Sequence, residues 1–495
     1  MNTNRRDFLK TSALTAAAFA TPSFLSAASA SRVIGANDEI RVAIVGFNGR
    51  GKDHIGGVRS LQKKGEKVRI VAYCDVDSEV LAKGVADAEK AGEKVTGYTD
   101  LRKLLENRDI DVVSIASPNH WHALGAIWSV QAGKDVYLEK PVSHNVFEGR
   151  KIVEAARKYG KIVQTGTQSR SSHAIKEAVE WVRAGNLGKI KVARGLCYKP
   201  RNSIGKVSGP TAIPANIDYD LWCGPAPKVP LMRKNLHYDW HWVWDTGCGD
   251  LGNQGIHQMD IARWFLGEMA LSPKVFSVGG RLGYVDDGET PNTQFVYHDY
   301  AQAPLIFEVR GLPSSKSVIK NGGWGSNNMD RYHGGSVAVV IECEGGHVLV
   351  PNYSSATAVD NAGKEIKKWS GAKDHYDNFY AAVRSRKHTD LNADILEGHL
   401  SSALCHTGNV SVRLGKTLKP EEIKDRLKSN PTANETFERM AAHLAANEVD
   451  IAATPLAFGE FLEMDPKKEK FTNNRKANQM LTRDYRKGFV VPNKV

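Results

Sequence analysis

The sequence predicts an α/β fold in two parts: a parallel-sheet half, then an α+β half with a large, mainly antiparallel sheet. Three observations predict it. Short Val- and Ile-rich runs alternate with helical segments as far as Thr165, which is the grammar of βαβ units. From Ile190 onward strand-like runs follow one another with few helical crossovers, the pattern of antiparallel pairing. The composition, 41% hydrophobic and 25% charged over 495 residues, suits sizeable cores and excludes a disordered, collagen-like or multi-span membrane chain.

The elements can be justified in order. Arg5 and Arg6 precede Phe8, Leu9 and Lys10, then a weakly apolar Ala/Ser/Thr run, then the small residues Ala28-Ser29-Ala30. This resembles a twin-arginine export signal with a peptidase site. Residues 1–30 are therefore expected to be a signal peptide recognised by the twin-arginine machinery, and the mature chain to be periplasmic or otherwise extracytoplasmic, exported folded. The run is too short and polar for a membrane span. The alternative is a disordered, mildly basic N-terminus.

Residues 39–45 read as a buried strand running into Gly46-Phe47-Asn48-Gly49-Arg50-Gly51. A dinucleotide fingerprint wants glycine at the first, third and sixth places. Here Asn48 holds the third, and asparagine tolerates left-handed angles. The next strand, residues 68–74, ends at Asp75, whose carboxylate suits the two hydroxyls of an adenosine ribose and repels a 2′-phosphate. NAD is expected rather than NADP. Helix 79–91, a short helix 101–107 and strand 111–116 follow. That strand opens into Ser117-Pro118-Asn119-His120-Trp121-His122 at its carboxyl end. Helix 123–132, strand 135–138, Glu139-Lys140-Pro141, helix 147–159 and strand 161–165 complete a Rossmann-type dinucleotide-binding half, expected over residues 31–168. Ligands of such sheets sit at the strand carboxyl ends.

The second half, expected over residues 169–465, begins with helix 172–184. Strands are expected at 190–198, 274–280, 293–298, 305–309, 335–343 and 347–351, with an exposed sheet face available to a subunit interface. Helices are expected at 375–385, 391–407 and 434–447. Residues 201–218 and 281–292 read as active-site or interface loops. Residues 466–495 are polar and irregular, and are expected to pack over the domains.

The formal charge of +12 is spread along the chain without basic blocks interleaved with aromatics, which argues against nucleic-acid binding. Cys74, Cys197, Cys223, Cys248, Cys343 and Cys405 are far apart and form no CxxC, so they read as buried thiols. His237 and His241 have i,i+4 spacing, but no acid cluster completes a ligand pattern, and no metal is expected.

The Gly46 turn, Cys74-Asp75-Val76-Asp77, Glu139-Lys140-Pro141 and the stretch Gly249-Asp250-Leu251-Gly252-Asn253-Gln254-Gly255-Ile256-His257-Gln258-Met259-Asp260 together resemble the Gfo/Idh/MocA oxidoreductase family, over nearly all of the chain after the signal. The resemblance implies a nicotinamide cofactor in the N-terminal half. It implies a sugar, polyol or derivative as substrate, and a homodimer or homotetramer built on the C-terminal half. It also implies a cis bond at Pro141.

Gly46, Asn48, Gly49, Arg50, Gly51, Asp75, Ser117, Asn119, His120, His122, Glu139 and Lys140 are expected to meet the cofactor. Lys140 and His257 are the expected acid–base pair: a lysine beside the nicotinamide lowers a hydroxyl's pKa, and a histidine takes the proton as hydride leaves. The family pattern places an acid where this chain has Asn253, on the His257 face of a helix starting near residue 253. Either His257 acts with Lys140 alone, or Asp250 or Asp260 supplies the carboxylate. Tyr238, His241, Gln168, Arg170 and Asn253 are expected substrate contacts; Arg170 and Gln168 are alternatively contacts of the cofactor amide. The aromatic stretch 238–244 suits a sugar ring.

Three functions fit. The first is hydride transfer on a sugar, polyol or glycoside hydroxyl with a tightly held cofactor, as an exported protein finds no free NAD. The second is redox-neutral glycoside hydrolysis through transient oxidation at C3, elimination and addition of water. The third is a non-catalytic, cofactor-stabilised carbohydrate-binding protein.

Overall fold

The computed structural model describes residues 38–320 and 324–495; the signal segment lies outside them. Six strands form one all-parallel sheet: β1 (Ile40–Val45), β2 (Val68–Cys74), β3 (Thr96–Tyr98), β4 (Val112–Ile115), β5 (Asp135–Leu138) and β6 (Val163–Thr165). Their order is β3-β2-β1-β4-β5-β6. β4 and β5 are buried throughout, as a sheet covered on both faces requires. The order reverses between β1 and β4, so a crevice opens at their carboxyl ends.

The crossovers are α1 (Gly51–Lys63), α2 (Ser78–Lys90), α3 (Leu101–Leu105), α4 (Asn119–Gln131) and α5 (Val146–Lys158). Their starts follow from short polar side chains that satisfy free N–H groups. Asp77 accepts from Glu79 and Val80, and Asn145 from Glu148.

A second, twelve-stranded sheet takes up the rest. Its strands are β7 (Ile190–Tyr198), β8 (Lys274–Gly280), β9 (Thr293–His298), β10 (Leu305–Arg310), β11 (Val337–Cys343), β12 (Gly346–Val350), β13 (Ser355–Asp360), β14 (Glu365–Ser370), β15 (Lys416–Leu418), β16 (Leu456–Phe458), β17 (Leu462–Asp465) and β18 (Lys470–Phe471). Pairing is antiparallel except between β7 and β10, which run parallel at its centre. Helix α6 (His173–Arg183) precedes β7, a short α7 (Tyr219–Cys223) follows it, and α8 (Ile256–Leu266) packs against it. Two later helices, α9 (His375–Ser385) and α10 (Ile395–Arg413), return towards the parallel sheet. Phe379, Tyr380 and Val383 of α9 join the core of β1 and β2, and α10 packs along α5.

The outer face of the second sheet is covered over β8 to β10, while alternate residues of β12 to β14 stay half-buried or exposed, as the sequence reading expected of part of the sheet. Helices α11 (Pro420–Leu427) and α12 (Pro431–Ala446) lie over the covered part, and Ile423, Phe437, Met440 and Leu444 join Phe276, Phe295 and Ile306 in one apolar cluster. Beside that cluster lies a buried charge network. Glu308 accepts from Arg194 at 3.0 Å, from Arg439 at 2.6 Å and from the Tyr198 hydroxyl at 2.8 Å. These strand–helix pairs fasten α12 to β7 and β10.

The C-terminal tail is ordered against the parallel half. Phe489 is buried against the Trp121 and Trp128 rings, the Tyr485 hydroxyl donates to Glu148 at 3.0 Å, and Arg150 and His399 hold Glu469. All six cysteines are buried and unpaired. Among the described residues, no helix is long and apolar enough to cross a membrane.

Candidate active site

The sequence after β1 must reverse direction beneath the β4 loop, and Gly46 permits it. Its φ is +73°, and a Cβ there would stand 2.7 Å from the Ser117 backbone nitrogen. Gly51, the first residue of α1, is equally constrained: a Cβ would stand 2.2 Å from the Gly46 carbonyl oxygen. Both fingerprint glycines are thus demanded by close backbone approach. Asn48, Gly49 and Arg50 are exposed at the tip and line the crevice. Replacing Gly46 with alanine is expected to displace the turn, costing about 1–3 kcal/mol in backbone strain. Nucleotide content and melting temperature together check this: both should fall.

At the end of β2, the Asp75 carboxylate accepts the Phe47 and Asp77 N–H groups, both at 3.1 Å. Burial pushes its pKa up and those two bonds partly offset the rise. It faces the crevice beside Gly46.

The crevice has a volume of ≈ 390 Å³, within the range of small-molecule sites. It runs from Asp75 along the Gly46 turn to Lys140 and Asn253. Ser117 and Asn119 line it at the β4 end, and the Ser117 hydroxyl is buried without a partner. An orphaned hydroxyl beside a glycine cradle and a strand-end carboxylate fits a dinucleotide. The Gly46–Gly51 turn would face its pyrophosphate, and Asp75 its adenosine ribose.

Glu139 is buried and organises the crevice floor. It accepts from Arg50 at 2.9 Å, lies 3.2 Å from His54 Nε2, and accepts the Lys140 N–H at 3.2 Å. Burial opposes its ionisation, but His54, Arg50 and Lys140 hold its pKa well below the usual range. His54 Nδ1 meets the Ser114 hydroxyl at 2.8 Å. The His122 ring bridges two loops, with Nδ1 2.5 Å from the Pro141 carbonyl and Nε2 2.7 Å from the Ser117 carbonyl. The Lys140–Pro141 peptide is cis.

Lys140 Nζ donates to the Asn253 backbone carbonyl at 2.6 Å. Burial lowers its pKa, as do Arg50, Lys199 and Arg201, against the pull of Glu139. Asn253 lies in a π turn, Leu251–Gly255, and α8 begins only at Ile256. Asn253 and His257 therefore do not share one regular α-helix, which corrects the i,i+4 reading. π turns recur at functional sites.

Asn253 lines the crevice, but His257 does not. His257 is 5% exposed, its Nδ1 has no partner, and its ring lies 4.9 Å from that of Tyr353. Burial and then Lys140 push its pKa to about 3. Neither candidate acid serves it. Asp250 is held by Arg201 through bonds of 2.5 and 2.8 Å, and Asp260 by Arg170 through two of 2.8 Å and by the Ser401 hydroxyl.

Arg170 is consequently a structural cation, also paired with Glu397 at 3.0 Å, and does not line the crevice. Gln168 lies outside it too, within 3.4 Å of the Tyr137 hydroxyl. His120 is buried with its ring nitrogens near the Trp222 and Thr246 carbonyls, at 2.9 and 3.3 Å, and likewise does not line it. Arg170 and His120 are engaged by partners within the fold, and none of the three lines the crevice, which departs from the sequence reading.

A roof from the second half closes the Asp75 side. Asp218 N–H donates to the Val76 carbonyl and Ser78 N–H to the Asn216 carbonyl, while His237 pairs with Asp77 at 3.1 Å. Leu221 and Trp222 of α7, then Tyr238, Trp240 and His241, line the crevice from this roof. The C-terminal tail straps it down: Arg486 pairs with the Asp220 carboxylate and donates to the Asp220 carbonyl at 2.9 Å. Gly224 lets the chain pass Trp121, where a Cβ would stand 2.3 Å from the indole.

Loss of the strap in Arg486→Ala removes a charge-assisted hydrogen bond of about 1.5 kcal/mol, equivalent to roughly tenfold faster nucleotide release. Nucleotide content after prolonged dialysis measures it. The sequence anticipated this roof at Tyr238 and His241 and in the 201–218 loop, but not Leu221, Trp222 or the tail strap, nor His54 and Tyr353.

The chain matches the sequence profile described as "Oxidoreductase family, NAD-binding Rossmann fold" over residues 40–167. It matches that family's C-terminal α/β domain over residues 173–306, and a twin-arginine translocation signal over residues 2–22, which marks it for export in folded form. Among curated relatives, inositol 2-dehydrogenase of Salmonella typhimurium is 27% identical over 183 residues, 37% of this chain. The chain spans about half of that relative's length, 52%.

A glycosyl hydrolase family 109 protein of a Shewanella species is 33% identical over 370 residues, 67% of this chain and 79% of its own length. Among solved structures, the WlbA dehydrogenase from Bordetella pertussis, in complex with NADH and UDP-GlcNAcA, shares the fold with a TM-score of 0.52 and 19% identity. The match covers 74% of this chain and 94% of that one. With the parallel sheet, the glycine turn and the Lys140 crevice in place, these matches establish that the chain belongs to the Gfo/Idh/MocA oxidoreductase family.

Proposed function

We propose that the protein is an NAD-dependent oxidoreductase acting on a hydroxyl of a sugar, polyol or glycoside, with its cofactor held tightly. One observation carries this reading: a single crevice joins the Gly46 turn and Asp75 to Lys140 under an aromatic roof. Bound NAD would supply the hydride acceptor at its nicotinamide. Lys140, beside Asn253, would hold the substrate oxygen and share its proton. Tyr238 and Trp240 would offer apolar faces to the sugar ring and exclude water. The roof and the tail strap support retention through export. Assembly as a homodimer or homotetramer belongs to the same reading; the part of the second sheet left uncovered at β13 and β14 supports it.

A second reading is favoured by one observation, the long match to a glycosyl hydrolase family 109 protein. In redox-neutral hydrolysis, oxidation at C3 acidifies the C2 proton. The C1 substituent is then eliminated, water adds and the ketone is reduced. Incubation with candidate glycosides separates the two. Net reduced cofactor supports the oxidoreductase. Sugar release with C2–H exchange in D₂O and no net reduction supports the glycosidase. Cofactor binding with neither reaction contradicts both.

A further inference from the structure

Three histidines stand near Lys140; both ring nitrogens of His122 face backbone carbonyls, and His241 and His257 are held differently. His241 lines the crevice, and its Nδ1 lies 2.6 Å from the Tyr238 carbonyl, an acceptor only. That contact requires Nδ1 to carry the proton, which leaves Nε2 with a lone pair. The ring is stacked on Trp240 at 3.6 Å between centroids and 20° between planes, with the Tyr238 ring at 4.8 Å. Its orientation is thus set by one hydrogen bond, the stacked face of Trp240 and the tilted Tyr238 ring. His257 lies outside the crevice lining, and its Nδ1 has no partner. A general base needs both access to the reacting proton and a group that orients it; of the two histidines, His241 has both.

We propose that His241 Nε2 accepts the substrate hydroxyl proton, with Lys140 holding the oxygen. The proposal rests on the oxidoreductase reading. The substrate O–H bond breaks and its proton goes to Nε2. The carbinol C–H bond breaks and its electron pair leaves as hydride to NAD⁺, and a C=O bond forms. The Tyr238 carbonyl then stabilises the imidazolium through its Nδ1–H. Burial, followed by Lys140, Arg201 and Lys199, keeps the ring neutral before that step, with a pKa of about 3, against the opposing pull of the Tyr238 carbonyl. The same three cations favour passing the proton on.

The test uses the full-length holoprotein and His241→Asn, whose amide N–H can keep the bond to the Tyr238 carbonyl while Nε2 is removed. Nucleotide content should stay at the wild-type level and KM should change little. Single-turnover cofactor reduction should fall roughly 10²–10⁴-fold and recover partly with added imidazole. In nitrogen NMR of the wild-type protein, His241 should be the Nδ1-protonated tautomer at neutral pH. A variant with near wild-type single-turnover rate and a raised KM would make His241 a substrate contact and overturn the proposal alone. An Nε2-protonated tautomer would overturn it too. If the wild-type protein reduces no bound cofactor with any carbohydrate, the oxidoreductase reading fails and takes this proposal with it.

Discussion

Lys140→Ala is expected to lower turnover roughly 10²–10⁴-fold while leaving nucleotide content and melting temperature near wild type. Lys140 Nζ donates to a backbone carbonyl, whereas the arginines described around it are held by carboxylates. Arg50 is engaged by Glu139, Arg201 by Asp250 and Arg170 by Asp260. A carbonyl surrenders the ammonium to an incoming oxygen more readily than a carboxylate does. Burial and neighbouring cations bring the Lys140 pKa below its ordinary value, so it can give and take a proton nearer to neutral pH. Lys140→Arg should therefore also fail, since guanidinium does not release a proton. Nucleotide content and single-turnover rates, measured together, separate lost chemistry from lost binding. Normal turnover in either variant removes Lys140 from the mechanism.

Glu308→Ala should produce the largest stability loss, about 3–5 kcal/mol. Glu308 is 2% exposed and balances Arg194 and Arg439, with Arg310 at 3.5 Å. Removing it leaves buried guanidinium groups without their shared counter-charge. The pH dependence gives a second signature. Burial opposes ionisation of Glu308, but Arg439, Arg194 and Arg310 hold its pKa at about 2, below the ordinary 4.5. Its stabilising contribution is therefore complete above pH 4.5 and is lost as pH falls towards 2. Denaturant unfolding of the two proteins should show their gap narrowing across that window. A gap that stays constant there would mean the loss comes from packing rather than charge.

Much of the parallel half was legible because its central strands are buried and read as mainly apolar runs, with Asp75 and Lys140 at strand carboxyl ends; the exposed three-residue β3 was not. The second sheet was legible where strands are apolar, as in β7 to β10. It was not legible in β14, whose residues Glu365 to Lys368 are exposed and carry no alternation. The short β15 to β18 gave too few residues for a pattern. The Glu139–His54–Ser114 chain joins positions far apart in sequence, so no local spacing announces it. Arg170 was expected to meet substrate or cofactor and Asp260 to assist His257, and only the fold shows that they satisfy each other. The aromatic stretch at 238–244 did signal a pocket. Its division of labour, with Trp240 as a platform for His241, depends on a turn in which Asp239–Trp242 winds as a 3₁₀ helix.

The central claim is that a nicotinamide nucleotide lies between the Gly46 turn and Lys140 and leaves the cytoplasm inside the folded chain. Mass spectrometry of the exported protein, released under denaturing conditions, tests it directly. The account predicts stoichiometric NAD, without a 2′-phosphate, in the released fraction. Recovery of no nicotinamide nucleotide, together with no binding of added NAD to the native protein, would contradict it.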